Sequence, residues 1–92
     1  TVVATQGERT EFNTTGHPGM ATGGVGDVLT GLCAALIGQG VGTHAAACLG
    51  AWLSGRAAEI ALAQGQSHES LVASDIARWL GAAFSDLRSG AW

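Results

Sequence analysis

Three apolar segments with helical spacing follow only two short β-branched runs, and this imbalance limits the possible folds more than any other feature of the chain. Thr1 to Thr5 reads as one strand, Gln6-Gly7-Glu8-Arg9 as a turn, and Thr10-Glu11-Phe12 as a second short strand. A small hairpin or a pair of edge strands is therefore predicted, and a two-stranded hairpin is marginal in water by itself. Helices this apolar normally cover a larger sheet. The chain, at most one ordinary domain at 92 residues, is thus expected to be a piece of a larger α/β domain or to complete its sheet with another chain. A compact, mostly helical mini-domain is the competing expectation. An apolar chain with an incomplete sheet is also expected to self-associate as a homo-oligomer.

The first helix is predicted to begin between Gly24 and Asp27 and to run through Ile37, with Leu29, Leu32, Cys33, Leu36 and Ile37 on one face. Gly38-Gln39-Gly40 ends it. A second helix is expected from about His44 to Gln64, with Thr43 as its N-cap. Its apolar side reads as Ala45, Cys48, Leu49, Trp52 and Leu53, continued by Ala57, Ile60 and Ala61. Gly50 and Gly55 each cost about 1 kcal/mol relative to Ala inside a helix, which suggests close approach of a neighbouring element or ligand, or tight core packing alone. Arg56 and Glu59, three apart, are placed to pair on the wet face. A third helix, capped by Ser74 or Ser70, carries Ile76, Trp79, Leu80, Ala83 and Phe84 inward, and Ser85 to Trp92 reads as a frayed tail. Asp75 in its first turn suits the helix macrodipole.

Four Arg and no Lys face seven acidic residues, for a formal charge of -3. There is no basic stripe, so a nucleic-acid partner is not expected. Two cysteines are too few for a disulfide scaffold, and Cys33 and Cys48 read as reduced core thiols rather than neighbours of a histidine base. His17, His44 and His68 lack metal-ligand spacing, so no protein metal site is expected. No apolar run approaches the length of a membrane span and no basic flank opens the chain, which predicts a cytoplasmic, non-membrane protein.

The stretch from Gly16 to Gly31 carries the chemistry. A glycine-dense loop runs into an apolar helix with Asp27 at the junction. First-turn amides attract phosphate, and a glycine-rich approach lets it come close, so Gly24, Val25 and Gly26 are candidate anion donors. A carboxylate beside a phosphate is repelled by it. Asp27 is either a helix-start residue favoured by the dipole or a general base that takes a proton from a substrate hydroxyl while the amides hold developing phosphoryl charge. The absence of Lys excludes a P-loop. Leu29 stands where the dinucleotide fingerprint needs its third glycine, and no G-x-S-x-G elbow occurs.

The run Asn13-Thr14-Thr15-Gly16-His17-Pro18-Gly19-Met20-Ala21-Thr22-Gly23-Gly24-Val25-Gly26-Asp27-Val28-Leu29-Thr30-Gly31 resembles the signature of the ADP/ATP-dependent NAD(P)H-hydrate dehydratases, a branch of the ribokinase-like fold. Gly50-Ala51-Trp52-Leu53-Ser54-Gly55-Arg56-Ala57-Ala58 and Val72-Ala73-Ser74-Asp75-Ile76 are similar to that family's C-terminal helices. The resemblance covers nearly all of residues 1–92 and implies the C-terminal third of an α/β, ribokinase-like domain: a short hairpin or edge strands followed by three helices. It implies a lyase that repairs nicotinamide cofactors, dehydrating (S)-NADHX or (S)-NADPHX with ADP or ATP, ADP being the expected nucleotide, and with Mg²⁺ on the nucleotide phosphates. Asp27 would then be the catalytic base, Gly24, Val25 and Gly26 the anion hole, and Asn13, Thr15 and Gly16 part of the nucleotide-side segment. The family usually has Asn where this chain has His17, a change that keeps hydrogen bonding but admits a cation near neutral pH. A ribokinase-like kinase acting on a vitamin precursor or sugar shares the Gly-x-Gly-Asp core and is the alternative, although the Pro-Gly-Met-Ala-Thr-Gly-Gly run argues against it. A non-catalytic truncated piece or oligomerisation unit is a further alternative.

Overall fold

The computed structural model describes residues 2–16, 25–65 and 73–90. Strands β1 (Val2–Val3) and β2 (Glu11–Phe12) form an antiparallel hairpin, followed by helices α1 (Val25–Gly38), α2 (Thr43–Ala63) and α3 (Ala73–Arg88). A short hairpin and three helices are what the sequence predicts for a ribokinase-like C-terminal piece. The hairpin turns where Glu8 N–H donates to Thr5 O at 3.0 Å, with Gly7 at φ 81° taking the left-handed position that such a turn leaves to glycine. Register pairs Val2 with Phe12 and Val3 with Glu11. Side chains alternate across a strand. Val3 is accordingly buried, whereas Val2 and Phe12 share the other face and lie 59% and 73% exposed.

α1 starts within the predicted window and stops in a Schellman arrangement: Gly40 N–H donates to Ile37 O at 2.9 Å and Val41 N–H to Leu36 O at 3.1 Å, with Gly40 at φ 96°. Leu36 is buried beside this turn, and Leu32 packs toward the core. Ile37, expected on the same face, is instead 45% exposed. Gly65, at φ 105°, follows the end of α2 in the same way.

α2 is the central element and packs on α3, α1 and β1. A helix touched on several sides must be apolar and small around most of its circumference. Gly50 through Gly55, Ala57, Ala58 and Ala61 are all buried. Trp52, Leu53, Ala57, Ala58 and Ala61 join Ile76 and Ala83 of α3 in one core, with Trp79, Leu80 and Phe84 packed against it. Two details of the sequence reading change. Ala46 rather than Ala45 is buried, since α2 meets its neighbours on a wider arc than one seam. Thr43 is the first helical residue and Gly42 is the N-cap, in an extended conformation with no side-chain capping bond.

α3 keeps its expected inward face, with Ile76 and Ala83 fully buried. Ser74 lies inside the helix and does not cap it, and Ser70 lies outside the described residues. The helix also runs on through Ser85 to Arg88, where a frayed tail was expected. Asp86 and Leu87 explain this: Asp86 bonds Arg56 of α2, and Leu87 packs on the core.

Candidate functional site

The segment from Asn13 to Gly16 links the hairpin to the glycine-dense stretch and lies against the middle of α2. Asn13 Nδ2 donates to Ala51 O at 3.2 Å and to Thr15 O at 3.1 Å. Its Oδ1 accepts the Thr15 backbone N–H at 3.4 Å, the local turn that Asn side chains favour. The Thr15 hydroxyl lies 3.1 Å from Asn13 Oδ1 and 3.0 Å from Trp52 O; its single proton serves one acceptor at a time. Gly16 N–H donates to Glu59 Oε2 at 2.8 Å, and Gly16 has φ 118°, a conformation L side chains resist.

The two helical glycines that stood out in the sequence have separate reasons. A Cβ on Gly55 would meet Thr15 Oγ1, and it would lie 2.8 Å from the Thr15 carbonyl carbon and 2.9 Å from Gly16 N. Gly55 is therefore what lets the Asn13–Gly16 segment lie on α2. Gly50 faces α1, where an added Cβ would sit 2.6 Å from Cys33 Sγ and 3.4 Å from Leu29 Cδ1.

Asn13, Thr15 and Gly16, expected on the nucleotide side, are thus brought together on α2. Val25, Gly26 and Asp27 form the first turn of α1, whose amides have no intrahelical carbonyl to bond. Among the described residues nothing lies within 4 Å of the place a Cβ on Gly26 would take, and Asp27 is exposed. Gly24 and His17 lie outside the described residues. A carboxylate at the third helical position is favoured by the dipole, and its exposure leaves it accessible to a substrate.

Beside Asn13, a cavity of about 400 Å³ opens between the hairpin and the first half of α2, lined among others by Phe12, Asn13, His44, Cys48, Ala51 and Trp52. Here the structure corrects an expectation. Cys48 does stand beside a histidine: its Sγ is 3.7 Å from His44 Nε2, one helical turn away, while His44 Nδ1 is 3.0 Å from Thr5 Oγ1. The thiol is nonetheless not activated. Burial, and then the nearby Glu11 carboxylate, push its pKa above the ordinary thiol value. Cys33 and Cys48 are both free and half-buried.

Sequence reasoning also undervalued Arg56 and Glu59. They do pair, Arg56 Nη1 to Glu59 Oε1 at 3.2 Å, but not on an independent wet face. Arg56 Nε also donates to Asp86 Oδ2 at 2.7 Å, and this bond first, then Glu59, raises the guanidinium pKa above its ordinary value. The local i,i+3 pair was visible in the chain; the two partners 30 and 43 residues away were not.

Among the described residues, no group of three or more His, Cys, Asp or Glu side chains could hold a metal ion. Mg²⁺ characteristically takes one or two protein carboxylates plus phosphate oxygens. Asp27 is the acidic residue of the α1 first turn, and this donor set does not make a magnesium site by itself. Among the same residues no helix is long and apolar enough to cross a membrane.

Comparison with known proteins agrees with the geometry. A family model described as NAD(P)H-hydrate dehydratase matches residues 1–80. The chain is 42% identical over 83 residues to the ADP-dependent (S)-NAD(P)H-hydrate dehydratase of Neisseria meningitidis serogroup B, covering 87% of this chain and 28% of that protein. It is 45% identical over 80 residues to the bifunctional NAD(P)H-hydrate repair enzyme Nnr of Moorella thermoacetica, covering 87% of this chain and 15% of that protein. To the enzyme of the same description from Thermofilum pendens it is 41% identical over 88 residues, 96% of this chain and 17% of the relative. The chain therefore spans a minor part of each relative's length. No solved structure matches it.

Proposed function

Because the chain belongs to the NAD(P)H-hydrate dehydratase family, we propose that the protein carrying it dehydrates (S)-NAD(P)H hydrate to NAD(P)H at the expense of ADP. The observation that carries this reading is the first turn of α1, where an exposed carboxylate, Asp27, shares one turn with the amides of Val25 and Gly26, which have no intrahelical carbonyl to bond. ADP as the nucleotide is supported by the description of the Neisseria relative.

When bound, ADP would supply its terminal phosphoryl group to the hydrate's hydroxyl and leave as AMP; loss of phosphate with its bonding electrons, and of a proton from the adjacent ring carbon to water, would then restore the nicotinamide double bond. Asp27 takes the proton of that hydroxyl, which makes its oxygen nucleophilic. Gly24, Val25 and Gly26 donate their amides to the developing negative charge on the transferred phosphoryl group, and the absence of side chains at the glycines lets it approach the backbone. Asn13, Thr15 and Gly16 hold the nucleotide side of the site against α2.

Replacing Asp27 with Asn tests the reading. In the full-length enzyme, ADP-dependent conversion of NADHX to NADH is expected to fall by about 10²- to 10⁴-fold, the usual contribution of a positioned base, with fold and nucleotide affinity retained. Near-normal turnover in Asp27→Asn would remove Asp27 from the role of base.

A further inference from the structure

The two carboxylate oxygens of Glu59 serve different elements. Oε1 accepts from Arg56 Nη1, and Arg56 is itself held by Asp86 of α3. Oε2 accepts the backbone N–H of Gly16 at 2.8 Å, across 43 residues of sequence. The other tertiary bonds to this segment, from Asn13 to Ala51 O and from Thr15 to Trp52 O, end on helix carbonyls whose position the helix already dictates. The Glu59 bond differs in being charge-assisted and in holding Gly16, where the glycine-dense stretch begins. Gly16 also sits at φ 118° with Gly55 beneath it, so its amide direction is selected by the surroundings and not by its own preference.

We infer that Glu59 is a positioning residue for nucleotide binding: by accepting the Gly16 amide it holds the Asn13–Gly16 segment in its binding geometry, while Arg56 and Asp86 keep the carboxylate in the required rotamer. The inference rests on the reading of Asn13, Thr15 and Gly16 as nucleotide-binding residues. Glu59 touches neither substrate nor nucleotide in this role. It links α3, through Arg56, to the backbone that leads toward the anion site, so the third helix contributes to a site it does not line.

The test measures ADP dissociation constants by calorimetry on the full-length protein, together with hydrogen exchange at the Gly16 amide and turnover of NADHX. Glu59→Ala is expected to bind ADP about tenfold more weakly and to lose protection at Gly16. Glu59→Gln keeps an oxygen that can accept from Gly16 and is expected to stay within about threefold of the unsubstituted protein. Ile76→Val, a core change in α3, lowers thermal stability and is expected to leave ADP affinity unchanged. Unchanged affinity in Glu59→Ala, failure of Glu59→Gln to restore it, or an equal loss in Ile76→Val overturns the inference. An unsubstituted protein that binds ADP without dehydrating the hydrate overturns the proposed reaction alone, and the affinity comparison still decides the role of Glu59. One that binds no ADP overturns both.

Discussion

Gly55→Ala is the substitution whose consequence follows most directly from the geometry. A methyl group there would meet the Thr15 hydroxyl, and it would stand 2.8 Å and 2.9 Å from backbone atoms of Thr15 and Gly16. Backbone cannot rotate away as a side chain can. Either the segment stays and the overpacking costs about 1–3 kcal/mol, or it lifts off α2. Lifting gives up the bond from Thr15 to Trp52, worth about 0.5–1.5 kcal/mol, and the charge-assisted bond from Gly16 to Glu59, worth about 1.5–3 kcal/mol. Against this, Ala gains about 1 kcal/mol over Gly in a helix interior. The expected net loss is up to about 2 kcal/mol, accompanied by weakened ADP binding if the displaced residues form the proposed nucleotide side. Gly50→Ala is the internal control. Its new methyl would approach chiefly Cys33 Sγ, at 2.6 Å, a side-chain atom that can move aside, and Leu29 Cδ1 at 3.4 Å. Helix propensity then nearly compensates, and stability should stay within about 0.5 kcal/mol of the unsubstituted protein. Urea denaturation of the three full-length proteins, with ADP titration of each, makes the comparison. If Gly55→Ala were as stable as Gly50→Ala, or bound ADP normally, the close approach of Asn13–Gly16 to α2 would not be what Gly55 provides.

Arg56→Ala should destabilise by about 1 kcal/mol, a modest figure because the side chain is a third exposed and solvent screens its two ion pairs. Denaturation at low and high salt checks this, with a smaller difference expected at high salt. In a Cys33→Ser background, alkylation of Cys48 by iodoacetamide should be slow at neutral pH and should rise only at a higher pH than for an ordinary thiol, since burial and Glu11 disfavour the thiolate that reacts. Glu11→Gln should move the profile part of the way back toward lower pH, and an unshifted profile would count against the Glu11 contribution.

What sequence alone determined is local in origin. The spacing of apolar residues defines three helices because side chains three and four apart share a face, and Gly40 marks the end of α1 because its left-handed conformation closes the last turn. The Asn13 to Gly31 signature and the place of Asp27 in a first turn are likewise contiguous in the chain. The expectation of a larger parent was legible too, from too little strand beneath too much apolar helix, and the chain spans a minor part of each relative's length. Tertiary structure decided everything that depends on which helix faces which. It separated Gly50, which accommodates Cys33, from Gly55, which accommodates Thr15 and Gly16. It set Cys48 beside His44 and yet left the thiol less acidic than usual, and it extended α3 through Arg88 because Asp86 and Leu87 found partners. Glu59 shows the division most plainly. Its pairing with Arg56 follows from a spacing of three residues, whereas its bond to Gly16 exists only because the packing of α2 carries one carboxylate oxygen to an amide 43 residues away.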